Sequence, residues 1–236
     1  MSYKEIINYI VNDPEYIRWM DIIDKSTKEF ADFSSENAKI TFDHSTHHAL
    51  EVAKTTARLL CDLGLDERMQ YLGFIAGLLH DIGIIEGKKS HAKTGYEMSK
   101  VYMKKLEMSD EDIDMIAHAI LVHGNVNKIN NPLDGLLAIA DKSHFKKNRI
   151  VKSKHNVENV LERIEDNHIC IENGVLKIFY LTTTGFDKSS FYTIPKTIDL
   201  PIKVGNELGY EVEIYINGVR ELFEDKKSYK GFTYKS

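Results

Sequence analysis

The sequence predicts a mainly α-helical bundle over residues 1–165, followed by a small α+β unit over residues 166–236. Three observations carry that expectation. Apolar residues recur at helical spacing through the first two thirds of the chain. A strongly apolar helical stretch, YLGFIAGLLHDIG, ends on His80 and Asp81 and gives the bundle a centre. After about residue 166 the pattern changes to alternation around Asn173-Gly174, a two-residue hairpin signal.

Taken in order, Ile6, Ile7, Ile10 and Val11 form a helical stripe. Asn12-Asp13-Pro14 ends it and starts a second helix running toward Phe33, since Pro fits a first helical turn. Ser34 to Ile40 reads as loop. A helix is expected from about Asp43 to Gly64, placing His44, His48, Val52 and Leu59 on one face and His47 elsewhere. Asp66 begins the central helix. Gly73 and Gly77, four apart, leave one side of it bare for close approach of a neighbour, at a cost of about 1 kcal/mol per internal Gly. Gly83 is expected to break this helix, and His91 opens the next, which reads to Leu106.

Ser109 and Asp112 resemble a capping box for a helix whose inward face, Ile113, Ile116, Ala117 and Ile120, leads to His123, with Gly124 as the stop. His118 points away from His123 and reads as a bystander. Pro132 starts a helix predicted to continue through DKSHFKKNRI. In the tail, the two hairpin strands precede a short helix from Leu200 to Leu208, with Asp199 as its cap, and a third strand, EVEIYING. Pro195 and Pro201 bracket a break before that helix.

His80 and Asp81 carry the functional argument. A neutral imidazole beside a carboxylate suits a borderline divalent metal, and an ionised Asp is costly to bury without a partner. A lone His-Asp pair is weak evidence. His48, His123 and Asp141 strengthen it, because each ends or lines a neighbouring helical segment. Asp141 shares the register of Leu137 on the packed side, and a shared metal would satisfy it. Lys88 and Lys89 read either as a solvated loop or as a phosphate-attracting rim. Lys142, Lys146, Lys147 and Arg149 read either as a solvated face or, through Lys142 and Arg149, as phosphate-binding groups.

Composition narrows the function classes. A formal charge of -5 at pH 7 argues against a general nucleic-acid or anionic-membrane binder. No apolar run is long enough for a bilayer, and MSYKEIINYI carries no signal pattern, so a cytoplasmic protein is expected. The two cysteines, Cys61 and Cys170, read as reduced core thiols.

Taken as a set, His48, His80-Asp81 and Asp141 resemble the H…HD…D ligand order of the HD-domain metal-dependent phosphohydrolases. HALEVAKTTARLL is similar to the first-ligand helix of that family, GLLHDIG to its central motif and IADK to its final-Asp motif. His91 in SHAKTG and His123 in AILVHG resemble the added ligands of its two-metal subfamilies. The resemblance covers roughly residues 40 to 150, and bacterial HD-domain proteins with a similar tail resemble the whole layout. Ile84 stands where HD-GYP phosphodiesterases have Lys, and no GYP tripeptide follows, which argues against cyclic-di-GMP cleavage. The Glu-Pro-x-Arg-like sequence of the diadenosine tetraphosphate hydrolases is absent too.

The resemblance implies a metal-dependent phosphohydrolase or phosphodiesterase acting on a nucleotide-like or small phosphorylated substrate. It implies two divalent ions, drawn from Mn, Fe, Ni, Zn or Co. Asp81 would bridge them. His48, His80 and Asp141 would complete one, and His91 and His123 the other. His80 and Asp81 become the catalytic pair, His44 an outer partner orienting a ligand, and Lys88, Lys142 and Arg149 the substrate-binding groups. The alternative is a non-catalytic nucleotide- or metal-binding regulatory module, with the C-terminal unit as a partner or homodimer surface.

Overall fold

The computed structural model describes residues 1–35, 41–124, 128–151, 160–193 and 198–223. Among these lie eight α-helices and four strands. Seven helices form the bundle: α1 (Tyr3–Asn12), α2 (Pro14–Ser35), α3 (Thr46–Asp62), α4 (Glu67–Leu79), α5 (His91–Lys105), α6 (Asp110–Val122) and α7 (Pro132–Ser143). The tail adds β1 (Ile164–Glu172), β2 (Val175–Thr182), α8 (Asp199–Glu207), β3 (Glu211–Ile216) and β4 (Val219–Glu221). The fold is mainly α with a small α+β unit.

Local chemistry sets the helix ends. Ser2 and Glu5 form a reciprocal capping box for α1. The Asp13 carboxylate, one residue ahead of α2, accepts the Glu15 amide at 3.1 Å and so helps to start the helix at Pro14. Asp66 caps α4 through the Met69 amide. Ser109 caps α6 through the Asp112 amide at 3.2 Å. The Asp112 carboxylate binds Tyr3 and Arg68 across the bundle.

Four boundaries differ from the sequence reading. Helix α3 starts at Thr46, because the Asp43 carboxylate takes both the amide and the hydroxyl of Ser45 and holds the chain out of helix. The preceding residues instead pair with the segment around Arg149: the Asp43 amide donates to the Arg149 carbonyl at 2.7 Å, and the Val151 amide to Thr41 at 3.0 Å. That pairing also explains why α7 stops at Ser143. Helix α4 ends at Leu79, and Gly83 lies inside a 3-10 turn, Ile82–Glu86. Asp199 is the first residue of α8 rather than its cap, and Pro201 sits within the first turn, where its missing N–H costs nothing.

Part of the expected Ser34–Ile40 loop, residues 152–159 and Pro195 fall outside the described residues. Within them, α2 continues through Ser35, Val160–Arg163 is a 3-10 turn, and β1 begins at Ile164.

The glycines of α4 do what their spacing predicts. A Cβ on Gly77 would fall 2.3 Å from the Cα of Ala53, and one on Gly73 would fall 2.3 Å from Leu60 Cδ1. Helices α3 and α4 therefore touch backbone to backbone, which brings His48 near His80.

The tail sheet has the order β1-β2-β3-β4, with β2 and β3 parallel and the outer pairs antiparallel. Glu172 pairs with Val175 around Asn173-Gly174, both at positive φ, as a primed hairpin turn requires. Asn217-Gly218 repeats the device and adds β4, which the sequence reading stopped short of.

The sheet and α8 share the core of the bundle. Val204 and Leu208 of α8 pack over Gly135 of α7, Asn167 donates to the Ser143 carbonyl at 2.6 Å, and the Ile171 amide donates to Asp62. Both cysteines are free. Cys61 is exposed rather than in the core, and Cys170 is half-buried.

Candidate metal centre

Five helix ends and one loop converge on Asp81. His48 comes from the first turn of α3, and His80 caps the C-terminus of α4 with Asp81 next to it. His91 opens α5, His123 caps α6, and Asp141 lies near the end of α7. His44 approaches from the loop ahead of α3. The glycine at position 83 makes the convergence possible: a Cβ there would meet the His91 carbonyl at 2.1 Å and the Gly95 amide at 2.4 Å. The turn after Asp81 is thus pressed directly onto the start of α5.

The imidazoles are oriented by their outer nitrogens. His80 Nδ1 lies 2.8 Å from the Gly77 carbonyl, His123 Nδ1 2.6 Å from Ile120, and His91 Nδ1 2.7 Å from Lys88. A carbonyl only accepts, so each Nδ1 carries a proton, and Nε2 is the nitrogen that each ring turns inward.

The two oxygens of Asp81 divide these rings. Oδ2 lies 2.6 Å from His44 Nδ1, 3.1 Å from His80 Nε2 and 3.7 Å from His48 Nε2. Oδ1 lies 3.7 Å from His91 Nε2 and 4.0 Å from His123 Nε2. Asp141 Oδ1 closes the first group, 3.3 Å from His48 and 3.9 Å from His80.

This arrangement fits a divalent cation. His80 Nε2 is buried without a hydrogen-bond partner and faces two carboxylates with a lone pair. His91 and His123 present their Nε2 atoms to each other at 3.1 Å. Lone pairs so placed repel unless a proton or a metal lies between them. Two sets satisfy the geometry on either side of Asp81: His48, His80 and Asp141, and Asp81, His91 and His123. A third set, His44, His48 and Asp81, places His44 as close to ligand position as to the outer role read from sequence.

Burial and charge prepare these ligands. Burial alone would push the Asp81 carboxyl up, but His80 and His44 outweigh it and hold it well below the usual range. Burial likewise opposes ionisation of Asp141, and Lys142, His48 and His80 reverse that. Burial, together with the Lys142 charge, pushes His123 down to about 3. Burial and the Arg149 guanidinium hold His48 well below its ordinary value. Burial also lowers His80, but the adjacent Asp81 more than reverses it. The set is therefore ionised carboxylates with mostly neutral imidazoles, the forms that bind metal.

Access is one-sided. The His91 and His44 side chains are 28% and 19% exposed, against 0% for His48 and His80 and 4% for Asp81. Of these side chains, His44 and His91 are the ones that reach solvent.

The cationic residues separate. Lys88 is exposed and lies over the Phe30 ring at 4.9 Å. Lys142 binds Asp141 Oδ2 at 2.5 Å. Arg149, read from sequence as a phosphate-binding group, is 6% exposed and enclosed by its own chain. His118 stands apart, paired with Asp134 at 3.0 Å.

His144 is the residue that sequence reasoning missed. It stacks on His48 at 5.2 Å and 5° between ring planes, with the two Nδ1 atoms 2.9 Å apart. Its position three residues beyond Asp141 is the one signal for it in the sequence.

Residues 46–146 match the family model of the HD domain. Among curated proteins it is 30% identical over 190 residues to ribonuclease Y of Lactobacillus acidophilus, covering 74% of this chain and 32% of that protein. Ribonuclease Y of Lactobacillus helveticus is 37% identical over 89 residues, covering 35% of this chain and 14% of its own length. The chain thus spans about a third or less of these relatives. It is also 29% identical over 121 residues to an uncharacterized protein of Clostridium beijerinckii, 49% of this chain and 69% of that one. Among solved structures, a predicted HD superfamily hydrolase from an uncultured Thermotogales bacterium matches with a TM-score of 0.40 and 19% identity, covering 60% of this chain and 73% of that chain. Among the described residues, no helix is long and apolar enough to cross a membrane.

Proposed function

We propose that this chain is a metal-dependent phosphohydrolase or phosphodiesterase acting on a nucleotide-like or small phosphorylated substrate. The observation that carries the reading is the division of Asp81, with Oδ2 toward His44, His48 and His80 and Oδ1 toward His91 and His123. A single carboxylate facing two imidazole groups can serve two divalent ions at once. Ions held there supply Lewis acidity and a water activated at neutral pH.

The chain's own residues do the rest. His80, His91 and His123 are locked in one tautomer by backbone carbonyls, so no reorganisation precedes binding. His44 and His91 line the open side and meet the incoming phosphate first. Lys88 and Lys142 supply positive charge, felt at His44 and His123 respectively, that attracts a phosphate to that side. The name of the Lactobacillus relatives adds RNA to the candidate substrates.

The test is turnover. The Mn-loaded protein is assayed on mononucleotides, dinucleoside polyphosphates, cyclic dinucleotides, a short RNA and a generic phosphodiester. At least one should be hydrolysed, and chelation should abolish the activity. Asp81→Ala should reduce it by roughly a hundredfold or more, since even a partner outside the ligand set costs about ten- to a hundredfold. Equal trace activity of wild type and Asp81→Ala on every compound would replace the enzyme with the non-catalytic binding module.

A further inference from the structure

Arg149 has every donor taken by the metal centre and its immediate backbone. Nη1 donates to the Asp141 carbonyl at 2.8 Å and to the His144 carbonyl at 2.9 Å. Nε donates to the Asp43 carbonyl at 3.4 Å. Nη2 donates to His48 Nε2 at 3.0 Å and to Asp141 Oδ1 at 3.2 Å. A guanidinium has five N–H donors, and five acceptors are present. The group is buried, with the Phe42 ring 5.6 Å below it.

The two acceptors of Nη2 are two of the atoms that the His48–His80–Asp141 set would give to a metal. A neutral imidazole nitrogen has one lone pair, so His48 Nε2 serves Arg149 or an ion, not both. Charge points the same way. Asp81 and Asp141 are two buried negative charges, and Arg149 and Lys142 are the two cations bonded to this pocket from within the chain. A buried ionised pair needs such compensation. The other half of the centre has no equivalent: no described cationic side chain bonds to His91 Nε2, His123 Nε2 or Asp81 Oδ1.

Arg149 also sets the tautomer. Because it donates to His48 Nε2, the His48 proton resides on Nδ1 and is donated to His144 Nδ1. That is the tautomer in which Nε2 binds metal, so an ion can replace Nη2 without proton rearrangement. The remaining three donors keep the guanidinium on its carbonyls.

We propose that Arg149 is an internal cation that competes with a divalent ion for His48 Nε2 and Asp141 Oδ1, holding the affinity of that half of the centre below what its ligands alone would give. This rests on the metal-centre reading above. It assigns Arg149 a role in metal loading, in place of the contact to substrate phosphate expected from sequence.

The experiment isolates each half and titrates it with Zn2+ by calorimetry. In a His123→Ala background, which leaves the His48 half, Arg149→Met should raise Zn2+ affinity about tenfold or more, since it removes two charge-assisted hydrogen bonds to the ligand atoms. In a His48→Ala background, Arg149→Met should change Zn2+ affinity by less than about twofold. A His123→Ala chain whose Zn2+ affinity is unchanged or lowered by Arg149→Met, with the same circular dichroism, overturns the competition and leaves the metal centre standing. No Zn2+ uptake in either background overturns both. Should Arg149→Met fail to fold, wild-type protein carries the test: the Arg149 guanidinium protons, protected from exchange with water, should lose protection on Zn2+ addition when followed by nitrogen-15 NMR. Protection unchanged at saturating Zn2+ overturns the proposal.

Discussion

Gly77 of α4 meets Ala53 of α3 backbone against backbone, with no room between them for a methyl group. The contact lies one turn before His80 and little more than a turn after His48, so it sets the distance between two candidate ligands on different helices.

Gly77→Ala should therefore act on both stability and the site. The added Cβ meets backbone atoms of Ala53, so the helices must part. Overpacking of this kind costs about 1–3 kcal/mol, against the roughly 1 kcal/mol that Ala gains over Gly inside a helix. Net destabilisation and weaker metal binding are expected. Gly73→Ala is the control: its Cβ meets the flexible end of Leu60, and a rotamer change relieves it. Denaturant midpoints and Zn2+ titration of the two variants check this. Equal behaviour would mean that the close approach does not position the centre.

The metal-free chain should lose stability as pH falls below about 6.5. Burial and Lys142 hold His123 near 3, and burial and Arg149 hold His144 near 2, while each unfolded imidazole takes a proton near its ordinary value. A lowered histidine contributes stability that is complete above the unfolded value and is lost on acidification toward the folded one. Each contributes a slope of up to about 1 kcal/mol per pH unit in that window. His80, raised by Asp81, runs the other way and loses its contribution as pH rises, but it is one ring against two, and lowered His48 adds to the majority. Urea unfolding of chelator-treated protein at pH 7, 6, 5 and 4 measures the slope. A flat profile would mean that these rings are not held neutral.

Removal of the C-terminal unit should destabilise the bundle. Val204 and Leu208 cover Gly135 on α7, and Asn167 holds the Ser143 carbonyl two residues beyond Asp141. A chain ending at residue 163 should unfold at lower urea than the full chain and lose metal affinity with it. Identical urea midpoints for the truncated and full chains would show that the tail is an independent appendage.

Much of this was legible in the sequence, for physical reasons. The helical stripe, the Gly73-Gly77 spacing and the Asn173-Gly174 turn are local signals, and the structure uses each of them. His48, His80, Asp81, His91, His123 and Asp141 were legible as a set through their resemblance to the HD-domain ligand order, and the structure brings their side chains together. What was not legible depends on tertiary pairing. The start of α3 moved from Asp43 to Thr46 because residues 41–43 pair with 149–151, a contact more than a hundred residues distant. The same pairing turns Arg149 inward, where a run of cations suggested an outer face. His144 is marked in the sequence only by its spacing from Asp141, and its contact with His48 exists only once the two rings are stacked.

In the proposed function, Asp81 stands between two metal ions. Anomalous scattering from crystals grown with Zn2+, together with elemental analysis of the same protein, measures it most directly. Two ions per chain are expected, one among His48, His80, Asp81 and Asp141 and the other among Asp81, His91 and His123. A zinc-saturated chain with no anomalous peak beside Asp81, or with His91 and His123 both away from any ion, would contradict it.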